Sequence, residues 1–560
     1  MADDEKLSPA ESMRSCCKFH WRGKLTVLVP LITLPILIFG FRNNRPELKC
    51  IYLIVNMAIF WITECVPLYI TSLFPIIFLP LFGILSSETT CSLFFTNALV
   101  MFVGGLILAL AIEYSNLHHR IALGTILLVG CSPRRLLFGL TVVTCFLSMW
   151  MSNSACTAMM CPIVKAILNE MEAQKIFTIY MTQEEESVEE GEQRHPSKIA
   201  MAFYFSTAYA SSIGGIGTII GTGTNLTFKG IYETRFPDAK EKINFPIFMA
   251  YTIPIAVVAN ILLLYLSIQL THMALFRPNS KTGQEIKSAT SNKDILYGVI
   301  KDNYKALGRM SCHEIQVASV FTLMVLLLFT GNPGFMMGWS DALHLDDVKS
   351  SSIVFLAVVI LFALPTQYTF FKYCCGSAPF TGRAMDACLS WTFIHNNMPW
   401  GLCFLIGGGF ALAEGSKVSG MAKMLGQSMA FIESTPRDVV IGVTIVIAIA
   451  CTTFSSNMAV CNILTPVFCE MALAVKIHPL LLTLPSTLAM SFAYLLPVST
   501  PPNAIVCGYA NIKTKYMAVA GILPTLLGIV LLWINAVTWG AVIFPDTKDF
   551  PDWAKEARLF

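Results

Sequence analysis

Two stretches of this sequence place hydroxyl and carboxamide side chains inside long apolar runs, where they could bind a small polar solute. They are LSMWMSNSACTAMMCP (147–162) and TTFSSNMAVCNILTP (452–466). Single serines in a membrane helix usually hydrogen-bond to a neighbouring helix. Clusters of this size, present twice, instead predict two hairpins that line a cavity, because non-helical backbone at membrane depth must be buried in protein or face water.

A hairpin tip of this kind favours a carboxylate as its ligand. The helix that starts at the tip leaves backbone N–H groups free, and its dipole places partial positive charge there. The polar residues are Ser148, Ser152, Asn153, Ser154 and Thr157 in the first stretch and Thr452, Thr453, Ser455, Ser456 and Asn457 in the second. Such a site attracts an anion without a permanently charged side chain.

A second pair of motifs interrupts two other apolar segments. They are GTGTN (221–225) and STPPN (499–503). The two prolines remove backbone donors, and the two glycines permit close approach of the backbone. The freed carbonyls and the Asn side chains could therefore coordinate an ion or a substrate hydroxyl. A proline kink in a simple helix is the alternative for either motif alone.

The composition shows what positions these groups. Of the 560 residues, 55% are hydrophobic and only 13% are charged, whereas soluble domains carry about 25% charged residues. A single soluble core would not bury this much apolar surface, so we predict a bundle of membrane helices of about 20 residues each. The net charge of +3 does not indicate nucleic-acid binding.

Three matches in the same order divide the chain into two similar halves. FVGGLILALAIE, SNSACTAMMCP and GTGTN of the first half correspond to LIGGGFALAEGS, SNMAVCNILTP and STPPN of the second. Duplicated membrane chains with broken helices are typical of secondary transporters. We predict the following order: 1–24 cytosolic N-terminal tail; 25–275 first transmembrane repeat, with a hairpin near 136–168, an acidic loop at 172–199 and a broken helix near 200–232; 276–310 cytosolic basic linker; 311–545 second transmembrane repeat, with a hairpin near 437–475 and a broken helix near 478–510; 546–560 short C-terminal tail.

Charge in the loops predicts the orientation. The segment 276–310 carries seven Lys and Arg residues, and Arg134 and Arg135 lie in another short basic loop. The positive-inside tendency places both in the cytosol together with the N-terminal tail, and the acidic loop 341–350 outside.

The chain also resembles a known family. LPVSTPPNAI (496–505), GGGFALAEGSK (407–417) and TECVPLYITSLFPI (63–76) are similar to the divalent anion/sodium symporter family of di- and tricarboxylate carriers, and the likeness covers nearly the whole chain. The resemblance implies an all-α polytopic membrane protein with about eleven transmembrane helices and two re-entrant hairpins in two inverted repeats. It also implies an elevator mechanism, in which a transport domain slides against a scaffold that forms a homodimer in the lipid bilayer.

The same resemblance implies the residues of the site. Ten correspond to substrate contacts: Ser152, Asn153, Ser154, Thr222, Gly223, Ser456, Asn457, Met458, Thr500 and Pro501. Sodium-coupled relatives would use one ion site at Ser148, Ser152, Asn153 and Gly221, and another at Thr452, Ser455, Asn457, Ser499 and Pro501.

This chain departs from the pattern of sodium-coupled relatives. Thr453 stands where they carry Glu, Ser154 and Met458 replace Thr or Val, and the first break ends in Thr-Asn instead of Pro-Asn. We therefore predict a sodium-independent, electroneutral exchanger or proton-linked carrier of citrate and succinate-type dicarboxylates, with sodium symport as the alternative. Moving one charge across 100 mV involves about 2.3 kcal/mol, so a carried trianion needs compensation.

Two residues have open interpretations. Lys229 follows the first break, and its ammonium could replace part of the missing sodium charge; a lysine that reaches toward the interface is the alternative. Met458 could narrow the pocket and shift the preference between citrate and four-carbon diacids, or it could be a flexible gap-filler.

Other functional classes fit less well. A channel would carry a continuous polar face along several helices, and a sensor would carry a folded signalling domain. No nucleophile–base pair or metal cluster points to an enzyme, and no cofactor is expected apart from the disfavoured sodium. We predict a location in the plasma membrane, with the basolateral membrane of a polarised epithelium as one option.

Overall fold

The computed structural model describes residues 20–130, 132–173, 179–180, 195–241, 243–291, 293–331, 337–345, 348–368, 385–421, 424 and 435–557. Most of the acidic loop predicted at 172–199 and most of the N-terminal tail lie outside these residues.

Helices account for nearly all regular structure of the first half. They are α1 (Trp21–Arg42), α2 (Pro46–Thr63), α3 (Leu68–Thr71), α4 (Phe74–Leu81), α5 (Ser87–Ser92), α6 (Asn97–Tyr114), α7 (Leu117–Val129), α8 (Pro133–Ser148), α9 (Asn153–Ala173), α10 (Lys198–Gly215), α11 (Gly223–Arg235), α12 (Phe245–Tyr251) and α13 (Asn260–Thr271). A 3₁₀ turn, Leu93–Phe95, precedes α6, and a π-helical segment, Thr252–Ala259, joins α12 to α13.

The linker and the second half follow the same pattern. Their helices are α14 (Lys281–Ser291), α15 (Lys293–Ala306), α16 (Cys312–Gly331), α17 (Trp339–Ala342), α18 (Ser350–Ala363), α19 (Trp391–Asn397), α20 (Gly401–Val418), α21 (Arg437–Phe454), α22 (Asn457–Val475), α23 (Pro479–Ala489), α24 (Pro501–Ala510), α25 (Thr514–Ile534), α26 (Gly540–Ile543) and α27 (Asp552–Ala557). A π-helical segment, Asn535–Trp539, joins α25 to α26, and a 3₁₀ turn, Pro545–Lys548, precedes α27.

The predicted all-α membrane architecture is confirmed. Within the described ranges no strand forms, and only two isolated β-bridges occur. Nine helices of this part of the chain are long and apolar enough to cross a membrane. α2 ends at Thr63, where Glu64 takes a left-handed backbone, and Pro67 occupies the N-cap position of α3. The linker, read from the sequence as a loop, contains the two helices α14 and α15.

Two hairpins form where the polar stretches predict them. α8 and α9 are joined by four residues (149–152), and α21 and α22 are joined by two (455–456). We call these connections the first tip and the second tip. The helices α10–α11 and α23–α24 are each interrupted by loops (216–222 and 490–500), which we call the first break and the second break.

Side-chain contacts define two ends of the molecule. At the linker end, Tyr265 donates to the carbonyl of Arg134 over 3.2 Å, and Arg120 pairs with Glu314 at 2.8 Å. The opposite end carries a cavity of about 690 Å³, and we call it the cavity end. There Arg235 of α11 pairs with Glu470 of α22 at 2.7 Å. The first hairpin therefore has its base at the linker end, and the second has its base at the cavity end. This is the geometry expected of inverted repeats.

The two halves interlock through their hairpins. α9 of the first hairpin packs on α24 beyond the second break, and α22 of the second hairpin packs on α11 beyond the first break. Each hairpin also packs on the broken helix of its own half. We call the residues 133–173, 198–235, 437–475 and 479–510 the paired core. The domain boundaries drawn from the sequence remain a prediction.

Candidate functional site

Four helices begin at the two tips and the two breaks. α9 and α22 start at Asn153 and Asn457, and α11 and α24 start after Thr222 and Thr500. The two threonines have nearly the same extended backbone, with φ and ψ of −144° and 146° at the first and −143° and 146° at the second. The positive ends of four helix dipoles therefore lie at the interruptions of the paired core.

The first tip is held by a hydroxyl that bridges to its own helix and to its neighbour. Ser148 Oγ lies 2.9 Å from Asn153 Oδ1 and 2.7 Å from the carbonyl of Ser211 on α10. A Cβ at Gly215 would overlap Asn153 Oδ1, so glycine is needed for this close approach. Because the carboxamide oxygen of Asn153 faces Ser148, its NH₂ group faces away and can donate to a ligand.

The second tip repeats this arrangement with threonine in place of serine. Thr452 Oγ1 lies 2.7 Å from Asn457 Oδ1 and 2.8 Å from the carbonyl of Met490. The NH₂ group of Asn457 therefore faces away from Thr452, as the NH₂ group of Asn153 faces away from Ser148. The duplication seen in the sequence extends to the individual hydrogen bonds of the two hairpins.

Each break is closed by the asparagine that ends its motif. Asn225 Nδ2 donates to the carbonyls of Gly215 (3.2 Å) and Thr218 (2.8 Å). Asn503 Nδ2 donates to the carbonyls ten and seven residues before it, Ala493 (2.7 Å) and Leu496 (3.0 Å). The amide nitrogens thus hold the loops, and the two Oδ1 atoms, which are buried and have no hydrogen-bond partner among the described residues, remain as acceptors.

The predicted first ion site comes together only in part. Ser148 and Asn153 are adjacent, and a Cβ at Gly221 would lie 2.9 Å from the carbonyl oxygen of Met149 in the first tip. Ser152 Oγ accepts the amide N–H of Ala155 over 3.3 Å and so caps α9. Ser154 lies in the first turn of α9 and is half-buried.

Two contacts of the first site are missing from the sequence prediction. Thr218 donates to the carbonyl of Met149, and Thr157 donates to Ser211 Oγ over 2.8 Å. Thr218 precedes the GTGTN motif by three residues, and its counterpart in the second half is Leu496, so the internal duplication gives no signal for it.

The predicted second ion site is closer to complete. Ser499 donates to the carbonyl of Thr453, which joins the second break to the second tip. Ser455 Oγ and Thr500 Oγ1 are buried and have no hydrogen-bond partner within the described residues. Ser456 stands at the N-cap position of α22 without a side-chain capping hydrogen bond and is half-buried, and Pro501 is exposed. Unpaired buried oxygens are costly, so these two atoms need a ligand or water when the site operates.

The breaks differ in how many backbone donors they present. α24 starts with Pro501 and Pro502, which carry no N–H, whereas α11 starts with Gly223 and Thr224, which do. The first break therefore offers more donors to an anion than the second, although the two backbones have the same shape.

Met458 bridges the two halves. A Cβ built on Gly223 would lie 2.7 Å from Met458 Cε and 2.8 Å from its sulfur, and 3.5 Å from Phe102 Cε2. Met458 is 8% exposed, so most of its side chain covers the start of α11. The contact explains why the first break has glycine at this position.

None of the residues named at the tips and breaks is ionisable. Thr453, which stands where sodium-coupled relatives carry Glu, donates to the carbonyl of Ile449 over 2.8 Å and brings no charge. Lys229 pairs with Glu233 and donates to the carbonyl of Ile243 over 2.8 Å, so its ammonium is neutralised toward the cavity end. These contacts favour the alternative interpretation, a lysine that reaches toward the interface, over a lysine that replaces a sodium charge at the site.

Comparison with known proteins identifies relatives over almost the full length. The family model for the sodium:sulfate symporter transmembrane region matches residues 20–545. The chain is 50% identical to the protein named I'm not dead yet of Drosophila melanogaster, over 96% of this chain and 91% of that protein. It is 34% identical to the Na(+)/citrate cotransporter of Rattus norvegicus (95% and 96% covered) and to Na(+)/dicarboxylate cotransporter 3 of Homo sapiens (97% and 96% covered).

Solved structures also share the fold. The Alcanivorax borkumensis YdaH transporter, described as having an unusual topology, superposes with a TM-score of 0.50 at 13% identity, covering 82% of this chain and 88% of that one. At this identity the likeness concerns the fold alone.

Proposed function

The chain belongs to the sodium:sulfate symporter family of membrane transporters, and from this premise we propose that it carries citrate and four-carbon dicarboxylates such as succinate across the plasma membrane. It is a transporter and not an enzyme, in line with its relatives. The single observation that carries the proposal is the duplicated tip, in which the Asn oxygen lies 2.9 Å from a hydroxyl in the first tip and 2.7 Å in the second, so that the NH₂ group is on the other side.

The chemistry of the two tips suits a carboxylate. Asn153 and Asn457 each offer an NH₂ group, and the adjoining helix starts offer backbone N–H groups. A carboxylate oxygen accepts two or more such hydrogen bonds, and neutral donors release an anion more readily than a fixed cation would. A carrier needs this balance because it must bind and release on each cycle.

For the coupling we propose sodium-independent exchange or proton-linked transport. The support is the neutral lining of the site: Thr453 uses its hydroxyl within its own helix, and the tips and breaks carry no carboxylate to hold a cation. Compensation of the carried charge then comes from a counter-transported anion or from protons.

Sodium symport is the second candidate, and a specific observation favours it. Ser455 Oγ, Thr500 Oγ1 and Asn503 Oδ1 are buried oxygens of the second half that have no partner among the described residues. Hydroxyl, carbonyl and carboxamide oxygens are ligands that sodium accepts at broken helices. The printed names of two relatives, Na(+)/citrate cotransporter and Na(+)/dicarboxylate cotransporter 3, point the same way.

For the mechanism we propose an elevator in a homodimer. The support is the interlocking of α9 with α24 and of α22 with α11, which joins both tips and both breaks into one body. Such a body can move as a unit against α6, α16 and α18, which pack on one another. The dimer rests on family resemblance.

The test is uptake of labelled citrate and succinate into proteoliposomes, with and without a sodium gradient, a proton gradient or internal citrate. We expect uptake to ignore sodium and to rise strongly with internal citrate or an inward proton gradient. Uptake that collapses without sodium would replace exchange with symport at the same residues. Asn153→Ala and Asn457→Ala should abolish uptake in either case.

The control is Asn397→Ala. Asn397 is exposed on α19, and its Nδ2 donates to the carbonyl of Phe393 over 2.8 Å. Its replacement removes a carboxamide of the same kind outside the paired core, and uptake should be unchanged. Uptake by Asn153→Ala and Asn457→Ala at the control rate would refute the assigned site.

A further inference from the structure

The paired core contains a cavity at the linker end, away from the tips and breaks. Its volume is about 300 Å³, at the lower end of the range for small-molecule sites. Its lining comes from α9, α10, α24 and the short bridge between Tyr180 and Pro196, and consists of Lys165, Leu168, Asn169, Ile179, Tyr180, Pro196, Tyr204, Tyr509, Ala510 and Asn511.

Among the described residues that line it, Lys165 carries a positive charge and none carries a carboxylate. Lys165 is exposed, and its Nζ lies 5.3 Å from the centre of the Tyr509 ring, a cation–π contact that leaves its N–H groups available. No described acidic side chain forms an ion pair with it. The nearby Glu172 is occupied, since its Oε1 accepts the amide N–H of Ile179 over 3.0 Å.

The walls of this cavity are well anchored. The Tyr204 and Tyr509 rings are 6.3 Å apart, and Tyr204 is only 4% exposed. His195 Nδ1 lies 2.8 Å from the carbonyl of Asn511, which fixes the end of α24 against the start of α10. The ammonium and the Asn169 carboxamide therefore face a shaped space and not a flat surface.

The larger cavity at the cavity end has the opposite character. It measures about 690 Å³, and its lining includes Glu233, Glu241 and Asp341 against two lysines, Lys229 and Lys349. Lys229 is already paired with Glu233. An anion is therefore favoured at the linker end and not there.

We propose that the linker-end cavity is a second binding site for a small carboxylate anion of the carried class. The proposal rests on the proposed function for the identity of the anion. Lys165 supplies the charge, and Asn169 and the tyrosine hydroxyls supply neutral donors. The site lies on the side that the positive-inside tendency assigns to the cytosol, so its occupancy depends on the concentration of the anion in the cytosol.

The position of the cavity gives this site a route to the tips. Lys165 lies twelve residues beyond Asn153 on α9, or about 18 Å along the helix, and Tyr509 lies eight residues beyond Pro501 on α24. An anion held between Lys165 and the end of α24 ties together two helices whose other ends form the proposed carrier site. Occupancy of one site is therefore expected to change the affinity of the other.

The experiment is equilibrium dialysis of labelled citrate against the purified full-length protein in nanodiscs. We expect two bound citrates per chain in the wild type, one in Lys165→Gln and one in Asn457→Ala. Lys165→Arg keeps the charge and should keep the second citrate. Lys165→Gln should weaken the second citrate at least about tenfold, as expected for loss of a charge-assisted hydrogen bond.

The matched control is Lys515→Gln. Lys515 is also exposed, and its Nζ lies 5.0 Å from the Tyr516 ring, but it does not line this cavity. It should leave both citrates bound. Raising the salt concentration should weaken the Lys165-dependent citrate more than the other, because the tips contain no ionisable group.

The outcomes separate the two proposals. One citrate in the wild type, lost in Asn457→Ala and unaffected by Lys165→Gln, overturns the second site and leaves the proposed function intact. One citrate that depends on Lys165 and not on Asn457 overturns the assignment of the carrier site instead. Release by inorganic phosphate at the same concentration as citrate would overturn selectivity for carboxylates.

Discussion

At the scale of single residues, the orientation of two carboxamides determines what the site can bind. Thr452 holds the oxygen of Asn457, so only the NH₂ group is free for a ligand. Asn457→Asp keeps an oxygen for Thr452 and replaces the donor with a second, charged acceptor. We expect citrate uptake to fall at least about 100-fold, while the melting temperature changes little; Asn397→Asp on α19 is the control. Normal uptake by Asn457→Asp would show that the NH₂ group does not contact the substrate.

The contact between Gly223 and Met458 gives a second prediction at this scale. A Cβ at Gly223 would lie 2.7 Å from Met458 Cε, which is the far end of a flexible side chain. We expect Gly223→Ala to reduce uptake several-fold by displacing Met458, and Gly223→Ala/Met458→Val to recover most of it. The double-mutant cycle is measured by initial uptake rates of citrate and succinate. Additive losses would mean that the two residues act independently.

The sequence alone predicts the paired asparagines but not their partners. Polar residues in an apolar run are conspicuous, so Asn153 and Asn457 could be found from composition and repetition. Ser211 contributes a backbone carbonyl, which carries no sequence signal, and Thr218 has no counterpart in the second half. The partner of Lys229 was also missed, although Glu233 lies one helical turn away at the spacing of a helix ion pair.

At the scale of elements, a buried pair at the cavity end joins the loop before α12 to the start of α23. His478 Nε2 lies 3.3 Å from Glu241 Oε2, and His478 Nδ1 accepts the amide N–H of Leu480 over 3.2 Å. Burial raises the pKa of Glu241, but its polar neighbours, the His478 imidazole, the backbone of Glu241 itself and the Trp553 indole, outweigh this, and the net effect is a pKa below the ordinary value of 4.5. Folding therefore stabilises the carboxylate form of Glu241 relative to its protonated form.

The sign of this shift gives a prediction for acid stability. A carboxyl group whose pKa is lowered by folding contributes stability above its unfolded pKa and loses it as the pH falls through the folded pKa. We expect the wild-type melting temperature to fall below about pH 4.5 by more than that of Glu241→Gln. Glu233→Gln, on the exposed side of the same region, is the control. Equal slopes in all three proteins would contradict the assigned pair.

Helix boundaries were predictable where the backbone chemistry is distinctive. Pro67, the two glycines of the first break and the prolines of the second break interrupt helices where the sequence indicates. The sequence analysis does not predict the linker helices α14 and α15, because charged residues are spread along the segment. Their apolar side chains Ile286 and Ile300 are buried against the rest of the molecule. Packing on α7 and α8 therefore stabilises helices that composition alone reads as a loop.

At the scale of the whole molecule, duplication predicts which elements are equivalent but not which ones touch. The contacts of α9 with α24 and of α22 with α11 join unlike elements of opposite halves. We propose that this interlocking makes the paired core one body, and the first tip contacts α16. The Trp150 and Phe321 rings meet edge to face, with centres 5.2 Å apart and planes at 89°.

If the paired core moves as a unit, a covalent link across this contact must stop transport. We expect Trp150→Cys/Phe321→Cys, in a background with the other reactive cysteines replaced by serine, to lose citrate uptake after treatment with a short bifunctional thiol reagent. Uptake should return when the link is made with a reducible reagent and then reduced.

The control pair is Phe205→Cys/His272→Cys, whose native rings are 5.6 Å apart and join α10 to the end of α13. Phe205 lies in the paired core, and α13 packs on α8 and α10 of that core. We therefore place α13 and His272 in the moving body together with the paired core, so that link should be harmless. Full uptake with the Trp150–Phe321 pair linked would mean that this contact persists throughout the cycle, and the moving boundary would then have to lie elsewhere.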